Sequence, residues 1–200
     1  MKNRIITISR QFGSAGRSIG KAVAENLGIP CYDQELIEMF SQESGFSEEY
    51  IKEHGEHAQK GGLLSGIFQD RVYDTPHTQD VLWDAQKKVI LDLAKKGPCV
   101  IVGRCAGHIL KDSADCLRVF IHADIEKRAE RILHIYGETE ESPLKRIRDK
   151  DKRRKTYYEQ VTGGKWGAAE DHHITLDSGV LGFDTCVRIL TELSGLEVKG

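Results

Sequence analysis

The tightest constraint on this chain lies at its start. A β-branched run, Ile5-Ile6-Thr7-Ile8, opens at once into a turn of small residues and then into a helix. The turn reads Ser9-Arg10-Gln11-Phe12-Gly13-Ser14-Ala15-Gly16-Arg17-Ser18. The helix is expected from about Gly16 to Leu27, because Ile19, Val23, Ala24 and Leu27 recur at helical spacing on one face. Gly28 reads as the residue just past its end, and Pro30 bars its continuation. A strand joined to a helix in this way is the first half of a βαβ unit, and such units build parallel sheets.

The same alternation continues. A short strand is expected near Ile29–Tyr32, and residues 33–96 read as mainly helical. Within them, His54–Gly66 carries Gly55, Gly61, Gly62 and Gly66 and is expected to be a flexible loop. Val81–Lys96 is expected to be an amphipathic helix that stops at Gly97-Pro98. Cys99–Val102 and Leu117–Ile121 are continuous apolar runs suited to strands buried on both faces. A helix over Ile125–Tyr136, a basic helix near Ser142–Gln160, a strand at His173–Leu176 and a closing helix near Gly182–Leu193 complete the pattern. The fold class is therefore α/β, a parallel sheet with helices on both faces, and 200 residues suit one domain over 1–200. Ligands of such sheets sit beyond the carboxyl ends of the strands. Those ends are the turn after Ile8, Tyr32-Asp33, Gly103-Arg104 and the region after Ile121.

Composition narrows the function. The formal net charge of -2 favours neither nucleic acid nor an anionic membrane over the whole molecule, so any basic site is local. No apolar run approaches the roughly 20 residues of a membrane span. The apolar stretch after Met1-Lys2-Asn3-Arg4 is too short for a secretory leader, and a cytoplasmic location is expected. The 5 cysteines, Cys31, Cys99, Cys105, Cys116 and Cys186, form no C-x-x-C pair and read as reduced apolar residues. His54 with His57, and His172 with His173, lack the surrounding carboxylates or thiols of a metal site.

Phosphate binding requires several backbone N–H groups converging on one anion, which small residues allow and a helix N-terminus reinforces. Gly13, Ser14, Ala15, Gly16, Arg17 and Ser18 supply that combination: a wrapping backbone, a fixed cation at Arg17, and a hydroxyl at Ser18 able to reach Mg²⁺. Against the pattern G-x-x-x-x-G-K-[ST], Gly16 and Ser18 match, while Gln11 stands at the first glycine and Arg17 at the lysine. An ordinary glycine-serine turn is the plain alternative. A dinucleotide fingerprint, with Asp33 or Glu35 on a ribose, is a weaker one because the G-x-G start is missing. A second feature is Lys145–Lys155, with 8 basic residues against Asp149 and Asp151. It reads either as a solvated helix face or as a lid over about 142–167 whose arginines close on a triphosphate. Asp151 and Arg154, three apart, share a helix face, so the carboxylate can hold the arginine. Nucleic-acid binding, the competing use of these charges, is weakened because no second basic stripe accompanies the run.

With these pieces in place, the chain resembles the cytidylate kinase family, in its divergent cytidylate kinase-like branch of the P-loop nucleoside monophosphate kinases. The matching stretches are Ile5–Gly28, Tyr32–Ile37, Cys99–Gly107, Val119–Arg131, Asp149–Gly167 and His173–Ser178. The resemblance implies a three-layer P-loop NTPase fold with a helical acceptor-binding insertion at about 33–96 and a basic lid. It implies ATP as donor, Mg²⁺ as cofactor and a nucleoside monophosphate such as CMP as acceptor. Residue by residue, it implies that Gly13–Ser18 hold the donor phosphates and Arg104 faces the acceptor phosphate. It further implies that Asp151 and Arg154 engage the acceptor from the lid, with Arg128 a candidate on the donor side. The chain departs from the family at Val102 and Cys105, which replace aspartates flanking the Gly-Arg pair, and at Tyr32-Asp33-Gln34-Glu35, which replaces the usual acceptor motif. The helix over Thr78–Lys96 also lacks the arginine that the family uses for the base. The phosphate machinery is retained more fully than the base-reading machinery. The alternative expectation is a nucleotide-binding regulatory protein without turnover.

Overall fold

The computed structural model describes residues 4–54 and 76–196. Apart from His54, the glycine-bearing loop expected at 54–66 lies outside the described residues, as does His57.

Strand β1 (Arg4–Arg10) leads into helix α1 (Gly16–Leu27), and β2 (Cys31–Tyr32) follows. Helices α2 (Glu35–Ser44), α3 (Glu48–His54) and α4 (Pro76–Lys96) precede β3 (Cys99–Val102) and a short α5 (Ala106–Leu110). Next come β4 (Asp115–His122), α6 (Ile125–Tyr136) and α7 (Pro143–Thr162). A 3-10 turn at Ala169–Asp171, β5 (Ile174–Asp177), α8 (Ser178–Leu181) and α9 (Phe183–Leu193) close the chain. The 5 strands form one sheet in the order β2-β3-β1-β4-β5, and every pairing is parallel. β1 is central and longer than its apolar run suggests, because Ser9 and Arg10 continue the ladder opposite Phe120 and Ile121.

Alternation along the strands places one apolar set on each face. Ile6, Ile8, Val100, Val102, Val119 and Ile121 pack on Ile19 and Val23 of α1 and on Val187 and Leu190 of α9. Ile5, Cys99 and Ile101 pack on Leu36, Phe40, Leu82, Ile90 and Leu110 from α2, α4 and α5. Each such aliphatic side chain contributes about 1.5–3 kcal/mol on burial, so both helical layers are held firmly to the sheet. This is why the strand sequences read as unbroken apolar runs rather than alternating ones. All 5 cysteines are free thiols, and 4 of them are buried. Burial pushes the Cys99 thiol up to about 12, so it stays protonated and inert. None of the described helices is long and apolar enough to cross a membrane.

The helix ends are fixed locally. α1 ends at Gly28, whose left-handed φ of 62° lets its N–H reach back to the last turn. Asp124 caps α6 through the Glu126 N–H at 2.8 Å, and Ser142 with Pro143 starts α7. In this order of strands, β1 is flanked by β3 on one side and β4 on the other, so a crevice opens beyond their carboxyl ends.

Candidate active site: a cationic cavity around the first loop

A cavity of about 420 Å³ occupies that crevice. Its wall is formed by the turn from Arg10 to Ser18, the ends of β2 and β3, and inward faces of α6 and α7. Arg10, Arg17, Lys21, Arg104, Arg131, Lys150 and Arg154 line it, against Asp33 as the one acidic lining residue among the described residues.

The turn is rigid for identifiable reasons. Gln11 N–H donates to Ile121 O at 2.9 Å, which fastens the turn to β4. The Ser14 hydroxyl is turned inward, donating toward Gln11 O (2.9 Å) and Ile121 O (3.0 Å). Ser14 is not on this cavity's wall and lines a neighbouring recess with Lys127 and Ser178 instead. Gly13 and Ala15 have φ of 81° and 63°, the left-handed values that let consecutive amides converge. Gly16 is required by space instead, since a Cβ there would stand 2.6 Å from Arg10 Cβ. No side chain caps α1 and no acid sits in its first turn, so the amides of Gly16, Arg17 and Ser18 begin a positive helix end on the cavity wall. Ser18 Oγ also lies on this wall, 3.5 Å from Arg131 Nη2.

After β3 the chain takes three successive left-handed residues: Gly103, Arg104 and Cys105 at φ 79°, 56° and 53°. Two non-glycine residues in this region cost about 1–2 kcal/mol each. The turn is held by Gly103 N–H to Ile8 O (2.9 Å) and by Gln86 Nε2 to Arg104 O (2.9 Å). Gln86 also accepts from Tyr157 Oη at 3.2 Å, so α4, the β3 turn and α7 share one buried amide. The twist brings the nearly buried Arg104 guanidinium to the cavity, 5.8 Å from the Phe40 ring centre.

The basic run divides by helix phase. Lys150 and Arg154, one turn apart, reach the cavity, with Lys150 Nζ 4.3 Å from the Phe12 ring centre. Arg154 Nη1 donates to Arg10 O at 3.2 Å. Lys145 pairs instead with Glu141, and Arg146 donates to Gly137 O, both away from the wall.

Of the residues singled out from sequence, Gly13, Ala15, Gly16, Arg17, Ser18, Arg104 and Arg154 meet on this one cavity. Arg128 and Asp151 stand behind it. Asp151 Oδ2 accepts from Arg128 Nη1 at 2.6 Å, and its Oδ1 accepts from Phe12 N–H at 2.7 Å. Arg128 Nη1 also donates to Phe12 O at 3.2 Å. The Asp151 carboxylate thus binds α7 to α6 and to the loop backbone, where an orienting contact to Arg154 was expected. Arg10, Lys21, Arg131 and Lys150 were not singled out from sequence as site residues. For Arg131 a signal existed: it lies three residues past Arg128 on α6, and only packing decides which of the two turns toward α1. Among the described residues no cluster of three His, Cys, Asp or Glu side chains is placed to hold a metal.

The model of the cytidylate kinase-like family matches residues 5–180. A cytidylate kinase of Methanothrix thermoacetophila is 30% identical over 159 residues, covering 77% of this chain and 78% of that protein. One from Pyrococcus horikoshii is 28% identical over 160 residues, covering 80% and 71%. A solved structure of an uncharacterized protein from Eubacterium ventriosum superposes with a TM-score of 0.70 at 28% identity, covering 95% of this chain and 97% of that one. A shikimate kinase from Acinetobacter baumannii, solved with shikimate, shares the fold at a TM-score of 0.53 and 16% identity, covering 96% and 93%.

Proposed function

The chain belongs to the cytidylate kinase-like family, and from that premise we propose that it transfers the terminal phosphoryl group of ATP to a nucleoside monophosphate of the CMP type. The observation that carries this reading is the convergence of 7 cationic side chains and one acidic one on a cavity whose floor is a left-handed amide turn.

In this reading the donor phosphates lie on the amides of Gly13 to Ser18, between Arg17 and Arg131. The donor base enters a neighbouring recess of about 200 Å³ that shares Gly13, Ala15 and Arg131 with the cavity and adds Lys127, Gly179 and Phe183. Ser178 shapes that recess, since its hydroxyl donates to Ser14 O at 2.7 Å. Arg104 and Arg154, across the cavity, take the acceptor phosphate and the phosphoryl group in flight. Forked guanidiniums match the equatorial oxygens over which charge spreads. An acceptor phosphate is already ionised, so no strong base is required and the work is positioning and charge neutralisation. α7 acts as the lid, carrying Lys150 and Arg154.

Mg²⁺ fits this donor set through the Ser18 hydroxyl beside the donor phosphates, and when bound it neutralises charge on the phosphates being separated. Val102, buried at the end of β3, supplies no carboxylate to organise the metal's water. That single observation favours a second reading, nucleotide binding without turnover.

One experiment addresses both. The protein is incubated with ATP, Mg²⁺ and a panel of nucleoside monophosphates headed by CMP, and ADP is followed alongside ATP binding. Acceptor-dependent ADP supports the kinase; ATP binding without ADP from any acceptor supports the second reading. Arg17→Ala is expected to lower ATP affinity or turnover at least tenfold, about 1.4 kcal/mol. Unchanged values would remove the loop from the mechanism.

A further inference from the structure

Arg17 occupies the position at which the phosphate-loop pattern has lysine. Lysine is a flexible point charge; arginine is longer and planar, and it acts well only when its fork is aimed. The structure shows what aims it. Arg17 Nε forms an ion pair with Asp33 Oδ2, across the cavity at the end of β2. Asp33 is 9% exposed and Arg17 is 39% exposed. The carboxylate is therefore the fixed partner and the guanidinium the one that gains a direction.

Asp33 is itself held. Its N–H donates to Glu35 Oε2 at 3.2 Å, at the start of α2. The Glu35 carboxyl is held below its usual range, first by backbone hydrogen bonds at Glu35 and Asp33 and also by Lys21 and Arg17. Two carboxylates on the β2–α2 turn thus face two cations one helical turn apart on α1.

We propose that Asp33 is a positioning residue for Arg17: it occupies the Nε edge of the guanidinium and leaves the outer Nη edge presented to the donor phosphates. This rests on the donor site proposed above. The opposite role is a place-holder, in which a nucleotide draws Arg17 off the carboxylate. The burial of Asp33 on a backbone held by its own amide favours the positioning role, since the carboxylate stays in place while the guanidinium takes its direction from it. The pairing draws on the planar fork of arginine, whose Nε and Nη edges point donors in fixed, separate directions, whereas the three donors of an ammonium share one freely rotating centre.

The test is a double-mutant cycle on the full chain, using Arg17→Lys with Asp33→Ala and, to preserve packing, Asp33→Asn. ATP–Mg²⁺ affinity is measured by calorimetry, and kcat and KM for ATP are measured with CMP as acceptor. In the Arg17 background, loss of the Asp33 carboxylate is expected to weaken ATP affinity about fivefold to tenfold. In the Arg17→Lys background it is expected to change affinity less than twofold. Equal losses in both backgrounds overturn the proposal, since Asp33 would then act on fold or acceptor. Tighter ATP binding by Asp33→Asn overturns it in favour of the place-holder. A second readout needs no nucleotide. The Arg17 Nε–H, assigned by its disappearance in Arg17→Lys, is expected to give a slowly exchanging ¹⁵N-correlated signal that is lost in Asp33→Asn. Its absence from the wild-type protein also overturns the proposal. A wild-type protein that shows this signal but binds no ATP defeats the donor-site reading while leaving the pairing intact.

Discussion

Asp151→Asn isolates the contact that fastens the basic helix to the Arg10–Ser18 turn. The change keeps the side chain's shape and removes its charge. In the native protein Oδ2 receives Arg128 Nη1 at 2.6 Å and Oδ1 receives the Phe12 N–H at 2.7 Å. The two side chains are 7% and 16% exposed, so water replaces little of what is lost. Breaking a buried ion pair from one side costs about 3–5 kcal/mol, because the remaining charge stays desolvated. Arg128 keeps only its 3.2 Å bond to Phe12 O, and the partial exposure of Asp151 places the cost near the lower end, about 3 kcal/mol. For a chain of this length each kcal/mol moves Tm by about 2–4 °C, so a fall of roughly 6–12 °C is expected. Thermal unfolding followed by circular dichroism measures it directly. The companion variant Arg128→Met with Asp151→Leu removes both charges. It is expected to regain up to about 2 kcal/mol of the loss, the remainder being about 1–3 kcal/mol for the Phe12 N–H left without an acceptor. A Tm within about 2 °C of wild type for Asp151→Asn would refute the reasoning, as would a double variant less stable than the single one.

Gly16→Ala is expected to weaken ATP binding more than about tenfold and to lower Tm, because the added methyl meets Arg10 Cβ at 2.6 Å and Ile121 Cβ at 3.3 Å; calorimetry and melting curves that match wild type would show that the close approach at this helix start is wrong. A pH effect is expected from His172, whose pKa is pushed below its ordinary 6.5 first by burial, against the opposing pull of Ala168 O and Asp171. The unfolded chain then binds the proton first, so stability is full above about pH 6.5 and falls as pH drops toward the folded-state value. Urea midpoints at neutral and mildly acidic pH should show this fall, and His172→Asn should shrink it; an unchanged slope in the variant would discount the histidine.

The architecture was legible because its signals are local. Ile19, Val23, Ala24 and Leu27 form the apolar stripe of α1, Gly28 forms its end, and the apolar runs of β3 and β4 are those of strands covered on both faces. α5 was not legible, since it begins after a left-handed turn at Arg104 and Cys105 that no local propensity favours. That turn is held by bonds from other elements, Gln86 of α4 to the Arg104 carbonyl and Gly103 N–H to Ile8 O of β1. The extension of β1 through Arg10 likewise depends on the partner strand, opposite Ile121, and not on the polar residues themselves. The site divides along the same line. Arg17 and Arg104 follow from their positions at the loop and a strand end, and Arg154 from the basic run and the family resemblance. The assignments of Arg131 to the cavity and Arg128 to the interior follow from the packing of α6 on α7 and on Phe12 of the first loop, which a single helix pattern does not contain.

Two carboxylates govern how this concentration of positive charge is tolerated, and they act from different sides. Asp151 lies behind the loop, bonded to Phe12 N–H and to Arg128, so it offsets charge without entering the cavity. Asp33 lies on the cavity wall but is committed to Arg17. Neither carboxylate leaves an uncommitted negative group where the proposed donor phosphates would sit. Lys150 and Arg154 meet an aromatic face instead, at 4.3 and 5.9 Å from the Phe12 ring centre, and cation–π contact steadies a cation without cancelling its charge. Phe12 is in turn backed by Tyr136 at 5.8 Å. The cavity concentrates positive side chains in a chain whose formal net charge is only -2, so its field is local and not spread over the whole surface.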